Sequence, residues 1–393
     1  MRALSRSTPA DQEPRRCLLC GGGDVRVCYS DPSAPSVKSD CKPWPLPAVT
    51  LLCRACGHLQ KAADPEARER IDQVYASYEL YHLSDGGEQL VYDAGRDNRG
   101  RSDVVLERLD RLVDLPEKGR LLDVGCGVGA TLRAFGQRRP AWELYGQEYG
   151  DRARAAVLGL PGVRGFWSGP LDAIDKKFDL ITMIHVFEHI PAPGAFLRQL
   201  RGLLAPGGKI LIQVPDILQS PFDMLVFDHY SHFSPELLKR FAESVGLEAA
   251  DGPGDWVPKE ISLVLRVRDD FRKDWFSGLD VDGRAQKLES AASWLKETAA
   301  ETRSMAAKSR FGVFGTAIAG TWLGAVAGER LAFFVDEDQR RVGKSHMGRP
   351  VLHPRDVQRD DVVYIAFPYA QAESIRNRLS QSGAGRYVLP PRP

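Results

Sequence analysis

Four cysteines open the chemistry of this chain: Cys17-x-x-Cys20 and Cys53-x-x-Cys56, each pair followed by a glycine, Gly21 and Gly57. Two thiolates from each of two tight turns make four sulfurs, which close a tetrahedral zinc site and leave no position for a reactive water, so the role is structural. The alternative is two unrelated pairs of free thiols. The surrounding segment has almost no apolar core, however, and a metal supplies the folding energy it lacks. Cys28, Cys41 and His58 are further donors in the same segment and are not chosen as ligands. A second group is Leu121-Leu122-Asp123-Val124-Gly125-Cys126-Gly127-Val128-Gly129-Ala130, an apolar run ending in a glycine loop. Gly125-x-Gly127-x-x-Ala130 satisfies a dinucleotide fingerprint, in which glycines admit a pyrophosphate to the backbone. Asp123 favours another ligand: an acid before the first glycine repels a diphosphate but accepts hydrogen bonds linked to an ammonium group. Glu148, about twenty residues past the loop, suits a ribose diol under either reading. The third group is rich in histidine: His185-Val186-Phe187-Glu188-His189 and Asp228-His229-Tyr230-Ser231-His232. An imidazole with an unperturbed pKa of about 6.5 can take a proton at neutral pH, and Asp228 or another nearby carboxylate raises its basicity. The alternative for the second stretch is a polar loop whose histidines cap backbone groups.

The elements that must position these groups follow from pattern. Residues 1–65 read as a frayed tail and the zinc-binding module, and residues 66–115 as a helical lead-in with Val104, Val105, Leu109, Leu112 and Val113 at helical spacing. Over residues 116–270, short apolar strands (GRLLDVG, WELYGQE, FDLITMIHV, GKILIQV) alternate with helical stretches, the mark of a parallel sheet with crossover helices. The segment SPELLKRFAESVG predicts a helix with Ser234 as N-cap, Pro235 in its first turn and Gly246 after its last. Residues 271–309 read as a connecting helix, and residues 310–393 as a second, smaller α/β unit that begins with a strand and a glycine turn, RFGVFGTAIAG. Neither Gly315 to Gly320 nor Gly343-Lys344-Ser345 has the spacing of a nucleotide-phosphate loop.

Read together, Asp123-Val124-Gly125-Cys126-Gly127-Val128-Gly129, Phe178-Asp179-Leu180-Ile181, His185 to Ile190 and Leu204-Ala205-Pro206-Gly207-Gly208-Lys209 resemble class I S-adenosylmethionine-dependent methyltransferases. The resemblance implies a central Rossmann-like domain that binds S-adenosylmethionine through Asp123, Gly125, Gly127 and Glu148, with His185 and Glu188 lining the cofactor side of the cleft. Adding the two cysteine pairs and the second α/β unit, the chain from Cys17 onward resembles the zinc-containing sugar C-methyltransferases of deoxysugar biosynthesis, which act on nucleotide-linked 4-keto sugars. What this implies is a carbon acceptor on a nucleotide sugar, a C-terminal Rossmann-like domain on the substrate side, zinc on Cys17, Cys20, Cys53 and Cys56, and His229 as general base with Asp228 beside it. The family's segment here carries a tyrosine and a glutamate, at positions occupied by Val226 and Asp228. O- or N-methylation of a sugar or natural-product precursor stands as the alternative, followed by methylation of RNA.

Composition narrows the partners. The 393 residues hold 53 Lys+Arg against 52 Asp+Glu, a formal charge of +1, so no global field draws the chain to nucleic acid or an anionic membrane. With 43% hydrophobic and 27% charged residues the chain reads as a folded globular protein. The first sixteen residues lack the apolar stretch of a secretory signal, and the weakly polar run from Gly315 to Gly328 falls short of the ~20 residues of a membrane span. A cytoplasmic location is expected, and two C-x-x-C pairs in a reducing compartment favour metal over disulfides.

Overall fold

Strand β1 (Arg120–Val124) is buried at every residue after its first, the continuous apolar run of a parallel strand covered on both faces. In the computed structural model, which describes residues 16–63, 65–76, 88, 90–91, 99–250, 254, 256–380 and 385–392, β1 sits inside a seven-stranded sheet. The others are β2 (Glu143–Glu148), β3 (Val163–Ser168), β4 (Phe178–Ile184), β5 (Leu204–Pro215), β6 (Leu247–Ala249) and β7 (Glu260–Val267), in the order β3-β2-β1-β4-β5-β7-β6. β1 to β5 run parallel, whereas β7 is antiparallel to both β5 and β6. The strand order reverses between β1 and β4, which opens a crevice beyond their carboxyl ends, where such sheets bind ligands. The mixed α/β class and the Rossmann-like sheet agree with the sequence pattern.

Helices cover the sheet with the faces their spacing predicts. Helix Ala130–Arg138 follows the glycine loop and buries Thr131, Leu132 and Phe135. Helix Arg101–Leu112 buries Val105, Leu106 and Leu109 against Leu121, Phe135 and Trp142. Helix Pro235–Glu243 buries Leu237, Leu238 and Phe241, and Ser234 stands at its N-cap with extended backbone, but the serine side chain makes no capping hydrogen bond.

Two further sheets flank the centre. Strands Val25–Ser30, Val49–Cys53 and Leu59–Gln60 form one, and its fourth strand is Ser231–His232, contributed by the histidine segment far along the chain. Ser231 pairs with Gln60 and His232 with Leu59. Near the C-terminus, Phe311–Phe314, Leu331–Val335, Arg349–Leu352, Val362–Ile365 and Arg386–Val388 pair in parallel. Helix Val281–Ala306 packs Leu288, Leu295 and Ala299 in one core with Tyr29 and Leu52 of the N-terminal sheet and Phe311 and Trp322 of the C-terminal unit. Arg284 of this helix donates from Nε to the Gly57 carbonyl at 2.6 Å. Among the described residues no helix is long and apolar enough to cross a membrane.

Candidate active site

The loop after β1 takes left-handed backbone at Gly125, Gly127 and Gly129, with φ of 64°, 50° and 81°. A Cβ on Gly125 would stand 2.3 Å from Val186 Cγ2, so the loop is pressed against the segment after β4 and only glycine fits there. Glu148, at the end of β2, accepts the Gly127 N–H at 2.9 Å through Oε2 and the Tyr149 N–H at 2.8 Å through Oε1. Asp123 is buried at the end of β1 and accepts the Thr182 hydroxyl at 2.6 Å. Burial, only partly offset by that hydrogen bond, pushes its carboxyl up to about 7. A loop without room for a Cβ, a buried acid beneath it and a second acid at the next strand end fit a cofactor that offers an ammonium group and a ribose diol.

After β4 the chain passes through His185 in left-handed backbone, φ 55°, a conformation that costs a non-glycine residue free energy and needs support from its surroundings. The support comes from the ring: Nδ1 lies 3.1 Å from Glu188 Oε1 and Nε2 lies 3.1 Å from Glu260 Oε1, and Arg101 pairs with the same Glu260 oxygen at 2.9 Å. Burial alone would lower the His185 pKa, but the Glu260 charge and the hydrogen bonds to Glu188 and Glu260 together outweigh it and raise the group to about 9. Glu188 is 1% exposed, and its Oε2 has no hydrogen-bond partner among the described residues.

The histidine segment is tied to this crevice by the Tyr230 N–H, which donates to the Glu188 carbonyl at 2.8 Å. Its acid–base contacts differ from the sequence pairing. The Asp228 carboxylate is held by the N-terminal module, where it accepts the Ser39 N–H at 2.9 Å and the Ser39 hydroxyl. The carboxylate bonded to His229 belongs to Asp223, in the turn Pro221–Leu225: His229 Nδ1 and Asp223 Oδ1 are 2.7 Å apart, and His232 Nδ1 lies 2.6 Å from Oδ2 of the same group. His189 Nδ1 meets the Asp228 carbonyl at 3.0 Å, and its ring stands edge to face with His229 at 4.6 Å. Burial pulls the His229 pKa down, but the charge and hydrogen bond of Asp223, with the Glu188 and Asp228 charges, together outweigh it and the net direction is upward. His232, more deeply buried, drops to about 4. Lys61 closes the underside: its ammonium donates to the Met224 carbonyl, and burial, against the pull of Asp223 and Asp228, lowers it to about 7. Sequence reasoning missed Asp223, Ser39 and Lys61. The only signal for Asp223 is an acid in a proline-initiated turn shortly before the histidines.

The four cysteines converge. Cys17 and Cys56 sulfurs are 3.6 Å apart, as are those of Cys20 and Cys53, and all four lie within 4.8 Å of one another. Tetrahedral zinc with Zn–S bonds of ~2.3 Å needs sulfur–sulfur edges of ~3.8 Å. The two turns match: Gly21 N–H donates to the Cys17 carbonyl and Gly57 N–H to that of Cys53, both at 2.9 Å, with both glycines at positive φ. The donor set fits a closed structural metal site. His58 Nδ1 lies 3.7 Å from the Cys17 sulfur, while Cys28, Cys41 and Cys126 fall outside the cluster.

Residues 98–251, from the start of helix Arg101–Leu112 through β6, match the family described as "Methyltransferase domain". Within these residues the chain carries a methyltransferase domain. Among curated proteins this methyltransferase domain is similar to "C-methyltransferase NovU" of Streptomyces niveus, 27% identical over 52% of this chain and 47% of that one. It is also similar to "Probable tocopherol O-methyltransferase, chloroplastic" of Oryza sativa subsp. japonica, 28% identical over 54% and 63%, and to "Trans-aconitate 2-methyltransferase" of Rhizobium meliloti (strain 1021), 29% identical over 42% and 65%. The aligned part thus spans about half to two thirds of these relatives, which act on both carbon and oxygen by name. Among solved structures, "Structure of the Mitomycin 7-O-methyltransferase MmcR" overlaps 52% of this chain and 58% of that one at 16% identity and a TM-score of 0.38, too loosely to bear on function.

Proposed function

We propose that this protein transfers a methyl group from S-adenosylmethionine to a small molecule, most specifically to the carbon beside the ketone of a nucleotide-linked keto-deoxysugar, with His229 as general base. The observation that carries the reading is the buried His229–Asp223 pair, held against the cofactor crevice through Tyr230 and Glu188. A hydrogen bond from Nδ1 to a carboxylate leaves Nε2 to take a proton. Asp123, Gly125, Gly127 and Glu148 hold the cofactor, with His185 shaping that side of the crevice and Glu188 placed between it and the base. S-adenosylmethionine supplies a methyl already activated on sulfonium, so what remains for the chain is to align the nucleophile and remove its proton. His229 Nε2 takes the proton beside the ketone, the C–H electron pair moves toward the carbonyl oxygen to form an enolate, and the enolate carbon displaces the thioether from the methyl. The name of the Streptomyces niveus relative favours carbon over oxygen as acceptor. Zinc on Cys17, Cys20, Cys53 and Cys56 is assigned a structural role, in keeping with a donor set that closes the coordination sphere.

Mass spectrometry of the purified protein incubated with S-adenosylmethionine and a set of nucleotide sugars tests the reading. Gain of one methyl by a 4-keto sugar, located on carbon by fragmentation, is the expected result. Methylation of oxygen, or of RNA in a parallel incubation, would replace it.

A further inference from the structure

The carboxylate of Asp223 binds two imidazoles at once, one on each oxygen, and is itself almost fully buried. An ionised carboxylate only accepts hydrogen bonds, so both rings must present Nδ1 as the donor, and in their neutral forms both carry the proton there. His232 is fully buried, its Nε2 has no hydrogen-bond partner among the described residues, and it lies on the strand locked against Leu59–Gln60. It is therefore the fixed side of the bridge. His229, on the other oxygen, is the ring whose state can change.

We infer that Asp223 is the positioning residue of the site, fixing the tautomer and orientation of His229 so that Nε2 is the proton acceptor. This inference rests on the reading of His229 as base and assigns the supporting acid to a residue six positions before His229, in place of the sequence neighbour Asp228. The other charged and titratable groups that face His229 are Glu188 and His189 from the turn Phe187–His189, Asp228 on its own segment, and His232. Lys61 lies across from them and acts on Asp223 and Asp228. Of these groups, Asp223 alone accepts a hydrogen bond from the His229 ring among the described residues. Asp223→Asn removes the charge that favours the imidazolium and offers an amide N–H that can donate to Nδ1, which moves the ring proton to Nε2 and blocks the lone pair.

Nitrogen NMR of histidine-labelled protein, without acceptor, separates this from a merely structural role. In wild type the neutral form of His229 should carry its proton on Nδ1. In Asp223→Asn it should titrate lower by about one pH unit or more and shift toward the Nε2–H form. Asp223→Glu should restore both signatures in part. A wild-type His229 protonated on Nε2, or an Asn variant with unchanged tautomer and titration, would overturn the inference, and the wild-type spectrum decides it even if Asp223→Asn does not fold. Failure of the function reading looks different: His229→Ala would keep full turnover while the Asp223-dependent spectrum stayed as described.

Discussion

Ser39 and Asp228 lie 189 positions apart in the chain, yet the serine gives both its backbone N–H and its hydroxyl to the same carboxylate. The N-terminal module therefore forms part of the wall beside His229, together with the Phe227 N–H, which donates to the Val37 carbonyl at 2.7 Å. Ser39→Ala removes a donor from a fully buried acid. Stability should fall by ~1.5–3 kcal/mol, the scale of a hydrogen bond to a charged group, read as a lower urea midpoint with S-adenosylmethionine affinity unchanged.

Elemental analysis of protein purified without chelator should find one zinc per chain. Cys53→Ser should lower that content and the melting temperature together, because a closed site adds its binding free energy to folding. Zinc-free protein with an unchanged melting temperature would contradict the assignment.

Glu148→Ala should weaken S-adenosylmethionine binding by ~1.5–3 kcal/mol by calorimetry, through the lost ribose acceptor. The Gly127 N–H loses its partner in the same variant. A nicotinamide dinucleotide binding where S-adenosylmethionine does not would reverse the reading of the loop.

Glu260 serves both Arg101 and His185, each within about 3 Å. Replacing it by glutamine removes the carboxylate charge that faces both buried cations and should cost ~1.5–3 kcal/mol, the scale of a hydrogen bond to a charged group. His185 adds a pH dependence with a defined sign. Its folded pKa, about 9, lies above its ordinary 6.5, so its contribution is complete below about 6.5 and is lost as pH rises through about 9. Urea midpoints of wild type and Glu260→Gln should therefore draw closer across that window.

The strand and glycine loop from Leu121 to Ala130 were legible because their chemistry is local: period, glycines and acids all sit within a few residues. The reversed order at β7 was not, since Ile261–Val267 reads as an apolar strand whichever way it runs. The same limit explains the site. Asp228 and His229 are neighbours in sequence, but Asp228 lies in a turn where Ser39 holds its carboxylate, and the turn Pro221–Leu225 brings Asp223 to the ring instead. No pattern in Leu59-Gln60 announces that it will pair with Ser231-His232, a contact set by tertiary packing alone.

Hydrogen exchange at the carbon beside the ketone tests the central claim most directly. A nucleotide-linked 4-keto-6-deoxysugar would be incubated with the protein in deuterated water, without a methyl donor, and followed by mass spectrometry. Wild type should exchange the proton beside the ketone, and His229→Ala should slow that exchange by ~10²–10⁴-fold, the contribution of a general base, while binding S-adenosylmethionine as wild type does. Equal exchange in the two proteins, with equal methyl transfer once the donor is added, would contradict His229 as the base.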